Sequence, residues 1–230
     1  MKTIGLIGGM SWESSLEYYR IINEEVKRRL GGFHSAKSVM VSVDFAEIEA
    51  MQMADRWDDA AQLLSDAARQ VERGGGDIVV LCTNTMHKVA DAMQAAINIP
   101  LLHIADASAL AIRAQGLQRV GLLGTRFTME QDFYRTRLEQ QHGLEVVIPD
   151  SADRDTVHRV IYDELVLGVI NPTSRQAYQA IIEKMGTEGV ILGCTEIGLL
   201  IKAEDSPVPV FDTTTIHAVA AVEWALRDLT

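Results

Sequence analysis

Cysteine and proline are scarce in this 230-residue chain, which has two of the first and five of the second. With so few prolines, 17 glycines and 47% hydrophobic residues, disordered and collagen-like readings fall away. No run of eighteen apolar residues exists, so neither a membrane span nor a membrane partner is expected. The opening residues turn to Gly8-Gly9 too early for a secretory hydrophobic region. Two cysteines without an export signal predict reduced thiols in a cytoplasm.

Positive charge is short as well. Lysine and arginine total 21 against 32 acidic residues, for a formal net charge of −11. That balance argues against a nucleic-acid partner and mainly favours solubility. An anionic small substrate stays open, because backbone N–H groups at helix N-termini supply local positive potential. Cys-x-x-Cys and His-x-x-x-His pairs are missing, so no metal is expected. Gly5-x-x-Gly8-Gly9 lacks the middle glycine of a dinucleotide fingerprint, and no lysine stands out for a pyridoxal Schiff base. The chain is read as needing no cofactor.

Each of the two cysteines closes a short apolar run and is followed by a threonine. Cys82-Thr83-Asn84-Thr85 follows Ile78–Leu81, and Cys194-Thr195-Glu196 follows Val190-Ile191-Leu192-Gly193. Such runs read as buried strands whose carboxyl ends open into a site. The cysteines lie 112 residues apart, close to half of the chain. Two matched catalytic arms facing one substrate are the expectation.

Strand-like and helix-like stretches alternate. Strands are expected at 3–7, 39–43, Ile78–Leu81 and 101–104, and helices at 11–30, 58–73 and 87–97. The first helix shows Leu16, Tyr19, Ile22 and Val26 at helical spacing, and the second ends at Gly74-Gly75-Gly76. Alternation of this kind implies parallel βαβ units. The second half repeats the order. Ile4-Gly5-Leu6-Ile7-Gly8 matches Val120-Gly121-Leu122-Leu123-Gly124, Glu17-Tyr18-Tyr19-Arg20 matches Asp132-Phe133-Tyr134-Arg135, and Ile99-Pro100 matches Val208-Pro209. The fold class is therefore α/β, with two pseudo-symmetric lobes, each a mostly parallel sheet flanked by helices, and an active site in the cleft between them. The first lobe is expected over 1–103, with 212–230 packing back on it as a helix through Ile216, Ala220, Trp224 and Leu226. The second lobe is expected over 104–211.

A thiol on either side of a carbon can remove a proton from one face and return one on the other, as racemisation requires. A helix N-terminus after each strand would stabilise the thiolate. Three segments carry a resemblance: Gly5-Leu6-Ile7-Gly8-Gly9-Met10-Ser11-Trp12, Cys82-Thr83-Asn84-Thr85-Met86-His87 and Gly193-Cys194-Thr195-Glu196-Ile197-Gly198. With them the chain resembles, over nearly its whole length, the cofactor-independent aspartate/glutamate racemase superfamily, and in particular its short bacterial amino-acid racemases.

One departure matters. The first motif of that superfamily is usually Cys-Asn-Thr, whereas here Thr83 precedes Asn84-Thr85 and Cys82 sits one position early. One position reverses the side chain of a strand, so Cys82 is expected to point into the lobe unless a bulge returns it. The resemblance thus makes Thr83 and Cys194 the catalytic pair. It gives Cys194 the face from which the L-enantiomer loses its proton, so L-substrate should be taken well and D-substrate poorly. Asn84, Thr85 and Thr195 suit the substrate carboxylate. The resemblance adds Met10 and Gln52 to the pocket, with Gln52 in a loop after the second strand. Glu196 is a candidate to hold the ammonium group, to orient Cys194, or to cap a helix.

Aspartate racemases often carry an Arg near Gln52 and a Lys in the second lobe for the distal carboxylate. This chain has Met51-Gln52-Met53 in the one place and Leu165-Val166-Leu167-Gly168-Val169-Ile170 in the other, although Arg56 is near. A carboxylate without a cation is costly in a dry site, so a broader amino-acid range stands beside aspartate and glutamate. His87 could tune the site, with His103 and Asp212 at matching strand ends. The expected partner is an amino-acid substrate, and a homodimer is possible because family members often dimerise. A decarboxylase or isomerase on the same scaffold, or a non-catalytic amino-acid-binding module, remains the alternative.

Overall fold

The computed structural model describes residues 1–229. Thr230, the last residue of the expected 212–230 stretch, lies outside the described residues. The chain divides into two compact units, Met1–His103 with the chain from His217 onward, and Ile104–Ile216.

The first unit runs β1 (Ile4–Gly8), α1 (Trp12–Leu30), β2 (Ser38–Ser42), α2 (Phe45–Met53), α3 (Trp57–Arg73), β3 (Ile78–Leu81), α4 (Ala90–Ala95) and β4 (Leu101–Leu102). Its four strands are parallel in the order β2-β1-β3-β4. The second unit runs α5 (Ile104–Ala114), β5 (Arg119–Gly124), α6 (Arg126–Glu130), α7 (Asp132–Thr136), β6 (Glu145–Val147), α8 (Ser151–Asp163), α9 (Pro172–Met185), β7 (Gly189–Gly193), α10 (Ile197–Leu200), β8 (Val210–Asp212) and the start of α11 (Thr213–Leu226). Its parallel order, β6-β5-β7-β8, repeats that of the first sheet. The α/β reading and the pseudo-symmetric repeat are both met.

Both faces of each sheet are covered, which is why the central strands read as unbroken apolar runs. In the first unit Ile7, Val79 and Leu81 pack with α2 and α3, while Leu6, Val80 and Cys82 pack with α1 and α11. In the second, Leu123, Val190, Leu192 and Cys194 pack with α8 and α9, while Leu122, Ile191 and Phe211 pack with α5.

Three expectations about elements are corrected. The buried face of α1 is Ser14, Ser15, Tyr18, Ile22 and Val26, whereas Leu16 and Tyr19 are 55% and 49% exposed. The reason is close approach. Ser15 Oγ accepts from the Gly9 amide at 2.8 Å, and a Cβ on Gly8 would lie 2.5 Å from that oxygen, so small residues face the strand end where an apolar stripe was sought. The expected 87–97 helix is a 3-10 turn, Thr85–Val89, followed by the short α4. The expected 101–104 strand stops at Leu102, because only Leu101 and Leu102 find partners on β3 and Ile104 already opens α5.

Gly9 is required at the exit of β1. Its φ is +96°, and a Cβ there would lie 2.1 Å from the Val43 carbonyl. Ser11 caps α1 by accepting from Ser14 N–H, a contact of about 1 kcal/mol.

Candidate active site

The registers of the two sheets fix which strand ends correspond. In the first, Ile4 lies opposite Ile78 and Ile7 opposite Leu81; in the second, Val120 lies opposite Gly189 and Leu123 opposite Leu192. Superposing the repeated β1 and β5 segments therefore pairs Leu81 with Leu192, Cys82 with Gly193, and Thr83 with Cys194. The fourth strands agree: Leu102 and Phe211 pair with Val80 and Ile191, which makes His103 the counterpart of Asp212. Thr83, and not Cys82, holds the place of Cys194 in the repeat.

Side-chain direction agrees with register. Cys82 is fully buried in the cluster with Leu6, Tyr18, Val80 and Ala218, and its Sγ lies 3.8 Å from the Val80 carbonyl. Burial pushes its thiol up, away from ionisation. No bulge returns it to the strand end.

At the carboxyl end of β3 the chain turns at once. Thr83 N–H donates to the Leu81 carbonyl at 2.9 Å, and the Thr83 carbonyl accepts from His87 Nδ1 at 2.8 Å. A carbonyl can only accept, so His87 carries its proton on Nδ1. Asn84 and Thr85 are buried beside it, and the Asn84 carbonyl accepts from His87 N–H at 3.1 Å. Gln52 is not in a loop: it lies buried in α2, with Nε2 2.9 Å from Met86 Sδ. Met10 follows β1 and packs in the same cluster as Met86 and Ile48. The first unit thus gathers Met10, Gln52, Thr83, Asn84 and Thr85 around the ends of β1 and β3, with Met10 in the core.

The end of β7 is built differently. Cys194 Sγ donates to Glu196 Oε2 at 3.0 Å, and Thr195 Oγ1 donates to the same oxygen at 2.6 Å. Cys194 and Glu196 are buried and Thr195 is half-buried. Burial, and then the negative charge of Glu196, raise the Cys194 thiol well above its ordinary range, and the amides of Glu196 and Ile197 oppose this only in part. The expected helix dipole is a small factor: α10 has four residues, and the helix after Thr83 starts as a 3-10 turn. The thiol is at rest in its protonated form.

His103 and Asp212 behave unlike each other. Asp212 accepts from Thr214 N–H at 3.0 Å and from Thr215 Oγ1 at 2.7 Å, so it caps α11. His103 is buried with its ring 4.5 Å from that of His87. Sequence reasoning missed a third imidazole, His217, whose ring lies 5.8 Å from that of His87. His217 Nε2 lies 2.9 Å from the Leu102 carbonyl and must donate, so Nδ1 accepts from the Tyr18 hydroxyl at 2.8 Å. Burial lowers His217 to about 4, which keeps it neutral. The available signal was the spacing of His217 with Ala221 and Ala225, small residues that mark a closely approached helix face.

Arg56 pairs with Asp59 at 3.0 Å on an exposed surface. Glu139-x-x-His142 has a spacing that metal sites use, but His142 Nε2 lies 2.8 Å from Asp106, which Arg137 grips with two further bonds. Among the described residues, no three His, Cys, Asp or Glu side chains are placed to hold a metal ion, and no helix is long and apolar enough to cross a membrane.

Residues 7–221 match the family described as Asp/Glu/hydantoin racemase. The structure is similar to that of a Yersinia pestis protein described as a candidate Asp/Glu racemase, at 58% identity and a TM-score of 0.93 over 98% of this chain and 100% of the other. It is also similar to an aspartate racemase homologue from Pyrococcus horikoshii OT3, at 37% identity and a TM-score of 0.84 over 98% and 99% of the two chains. Among curated proteins, the broad specificity amino-acid racemase RacX of Bacillus subtilis is 25% identical over 175 residues, 74% of each chain.

Proposed function

Since the chain belongs to the Asp/Glu/hydantoin racemase family, we propose that it is an amino-acid racemase that works by proton transfer at Cα without pyridoxal phosphate. What carries this reading is a buried thiol at the carboxyl end of a parallel strand, in direct hydrogen bond with a buried carboxylate. In the proposed reaction Cys194, as thiolate, takes the α-proton of an L-amino acid, and Thr83 acts on the opposite face of Cα as donor or relay. Asn84, Thr85 and Thr195 are the proposed grip on the α-carboxylate, with Met10 and Gln52 lining the side-chain end.

Aspartate and glutamate lead the proposed substrates, as the names of the relatives suggest. A wider range is supported on two counts: RacX is described as broad in specificity, and Met51, Met53 and the 165–170 segment offer no cation for a distal carboxylate. The cytoplasm is the proposed location, where two free thiols stay reduced.

A threonine hydroxyl is a poor base near neutrality, so kcat should be lower from D-substrate. Mirror-image substrates have equal free energy, which forces kcat/KM to be equal in the two directions; KM for D-substrate should therefore fall in step with kcat. The deciding experiment is loss of the α-proton NMR signal in deuterated water, with L-aspartate, L-glutamate and neutral amino acids, for wild type and Cys194→Ser. Exchange that drops by at least about a hundredfold in Cys194→Ser supports the racemase. Exchange that survives the substitution, or is absent from every substrate, sinks it. A one-thiol decarboxylation is the second reading, favoured by the lack of a thiol at Thr83, and CO2 release from a substituted malonate would reveal it.

A further inference from the structure

The end of β7 holds its thiol proton in one direction. Cys194 Sγ is aimed at Glu196 Oε2 at 3.0 Å, and Thr195 Oγ1, at 2.6 Å from that oxygen, holds the carboxylate in place. Both Cys194 and Glu196 are buried. Loss of the thiol proton to solvent would leave two negative charges side by side in a buried site, which is strongly disfavoured. Passage of the same proton to Glu196 leaves one negative charge before and one after.

We propose that Glu196 is the catalytic proton acceptor of Cys194, and not a grip on the substrate ammonium. The proposal rests on the racemase reading. The S–H bond of Cys194 breaks and an O–H bond forms on Glu196. The thiolate then takes the α-proton of the L-substrate, so the Cα–H bond breaks, S–H re-forms, and the electron pair stays on Cα and its carboxylate. Return of a proton from the Thr83 side completes inversion. Water resets the site, taking the proton from Glu196 and returning one to Thr83.

The equivalent turn in the first unit has no such group, because register sets Thr85 opposite Glu196 in the repeat. Titratable groups on the elements packed around β7 are already committed. Tyr178 on α9, coupled to the thiol, donates to the Val157 carbonyl at 2.9 Å and is itself pushed well up by burial. Glu164 accepts from Ser174 Oγ at 2.7 Å, Asp212 caps α11, and Lys202 Nζ donates to the Gly198 carbonyl.

The test compares wild type, Glu196→Gln and Glu196→Asp in the full chain, by Cys194 alkylation with iodoacetamide across pH and by α-proton exchange of L-aspartate. If Glu196 takes the proton, removing it leaves the thiol to ionise only to solvent, so Glu196→Gln should be alkylated about tenfold more slowly at pH 7, whereas a Glu196 that acts only as a neighbouring charge would give faster alkylation. The exchange kcat of Glu196→Gln at pH 7 should fall about a hundredfold with KM within about twofold, then climb about tenfold per pH unit where wild type is flat. Glu196→Asp should regain part of the lost kcat. Raised KM with kcat retained would overturn the proposal in favour of an ammonium grip, and unchanged or faster alkylation would overturn it as well. Wild type that alkylates as predicted but exchanges no amino acid would count against the racemase alone, because the alkylation comparison judges the Cys194–Glu196 pair without turnover. If Glu196→Gln fails to fold, Glu196→Asp in both assays decides, since a shorter carboxylate that leaves kcat and alkylation unaltered is incompatible with proton transfer at 3.0 Å.

Discussion

The ends of β3 and β7 occupy the same place in two sheets of the same strand order, yet they carry opposite chemistry. At β7 a thiol meets a carboxylate through one hydrogen bond and Thr195 steadies the pair. At β3 the corresponding residue is Thr83, its carbonyl is pinned by His87, and the space beneath is filled by three imidazoles and Tyr18. A repeated backbone preserves position and leaves function to side chains. Position alone would give both ends the same chemistry, and the thiol–carboxylate pair of β7 distinguishes them.

The strongest way to break that contrast is to make the ends alike. Thr83→Cys should raise kcat from D-substrate by about a hundredfold, since a thiol replaces a hydroxyl at the equivalent register position. Chiral chromatography of products from D-aspartate would measure it. No gain would mean that the end of β3 does not reach the reacting carbon.

The imidazole cluster sharpens the contrast through pH. His217 is neutral in the folded chain, at about 4, against an ordinary 6.5. The unfolded chain therefore binds the extra proton between those values, and stability is full above about pH 6.5 and lost as pH falls towards 4. The loss is at most about 3 kcal/mol. Urea midpoints from pH 7.5 to 4.5 should show a steeper decline for wild type than for His217→Gln, and parallel declines would contradict the burial argument.

The smallest effect belongs to the misaligned thiol. Cys82→Ala should cost about 1 kcal/mol through a small cavity and leave exchange kinetics within about twofold. A large loss of exchange would place Cys82 at the reaction after all.

Much of this was legible in the sequence. Paired Gly-rich strands, matched prolines and helical periodicity at α3 announced a repeated parallel fold, and Asn84-Thr85 already aligned Thr83 with the second thiol. Hydrophobicity cannot see a close approach: on α1, Ser15 faces the Gly8-Gly9 turn, Ser14 donates to the Cys82 carbonyl at 3.2 Å, and Leu16 and Tyr19 turn outward. The loop position of Gln52 came from the resemblance alone, whereas Asp44 starts α2 there by accepting from the Ala46 amide.

Composition and pattern are local properties, and they determined the central strands, their parallel direction and the two threonine-bearing strand ends. Which atoms meet is not local. The hydrogen bond from Cys194 to Glu196, the tautomers of His87 and His217, and the burial of Cys82 against α1 and α11 were decided only by tertiary structure. The physical reason is that a side chain's proton affinity is set by the charges, dipoles and lost water around it, and those come from segments far away along the chain.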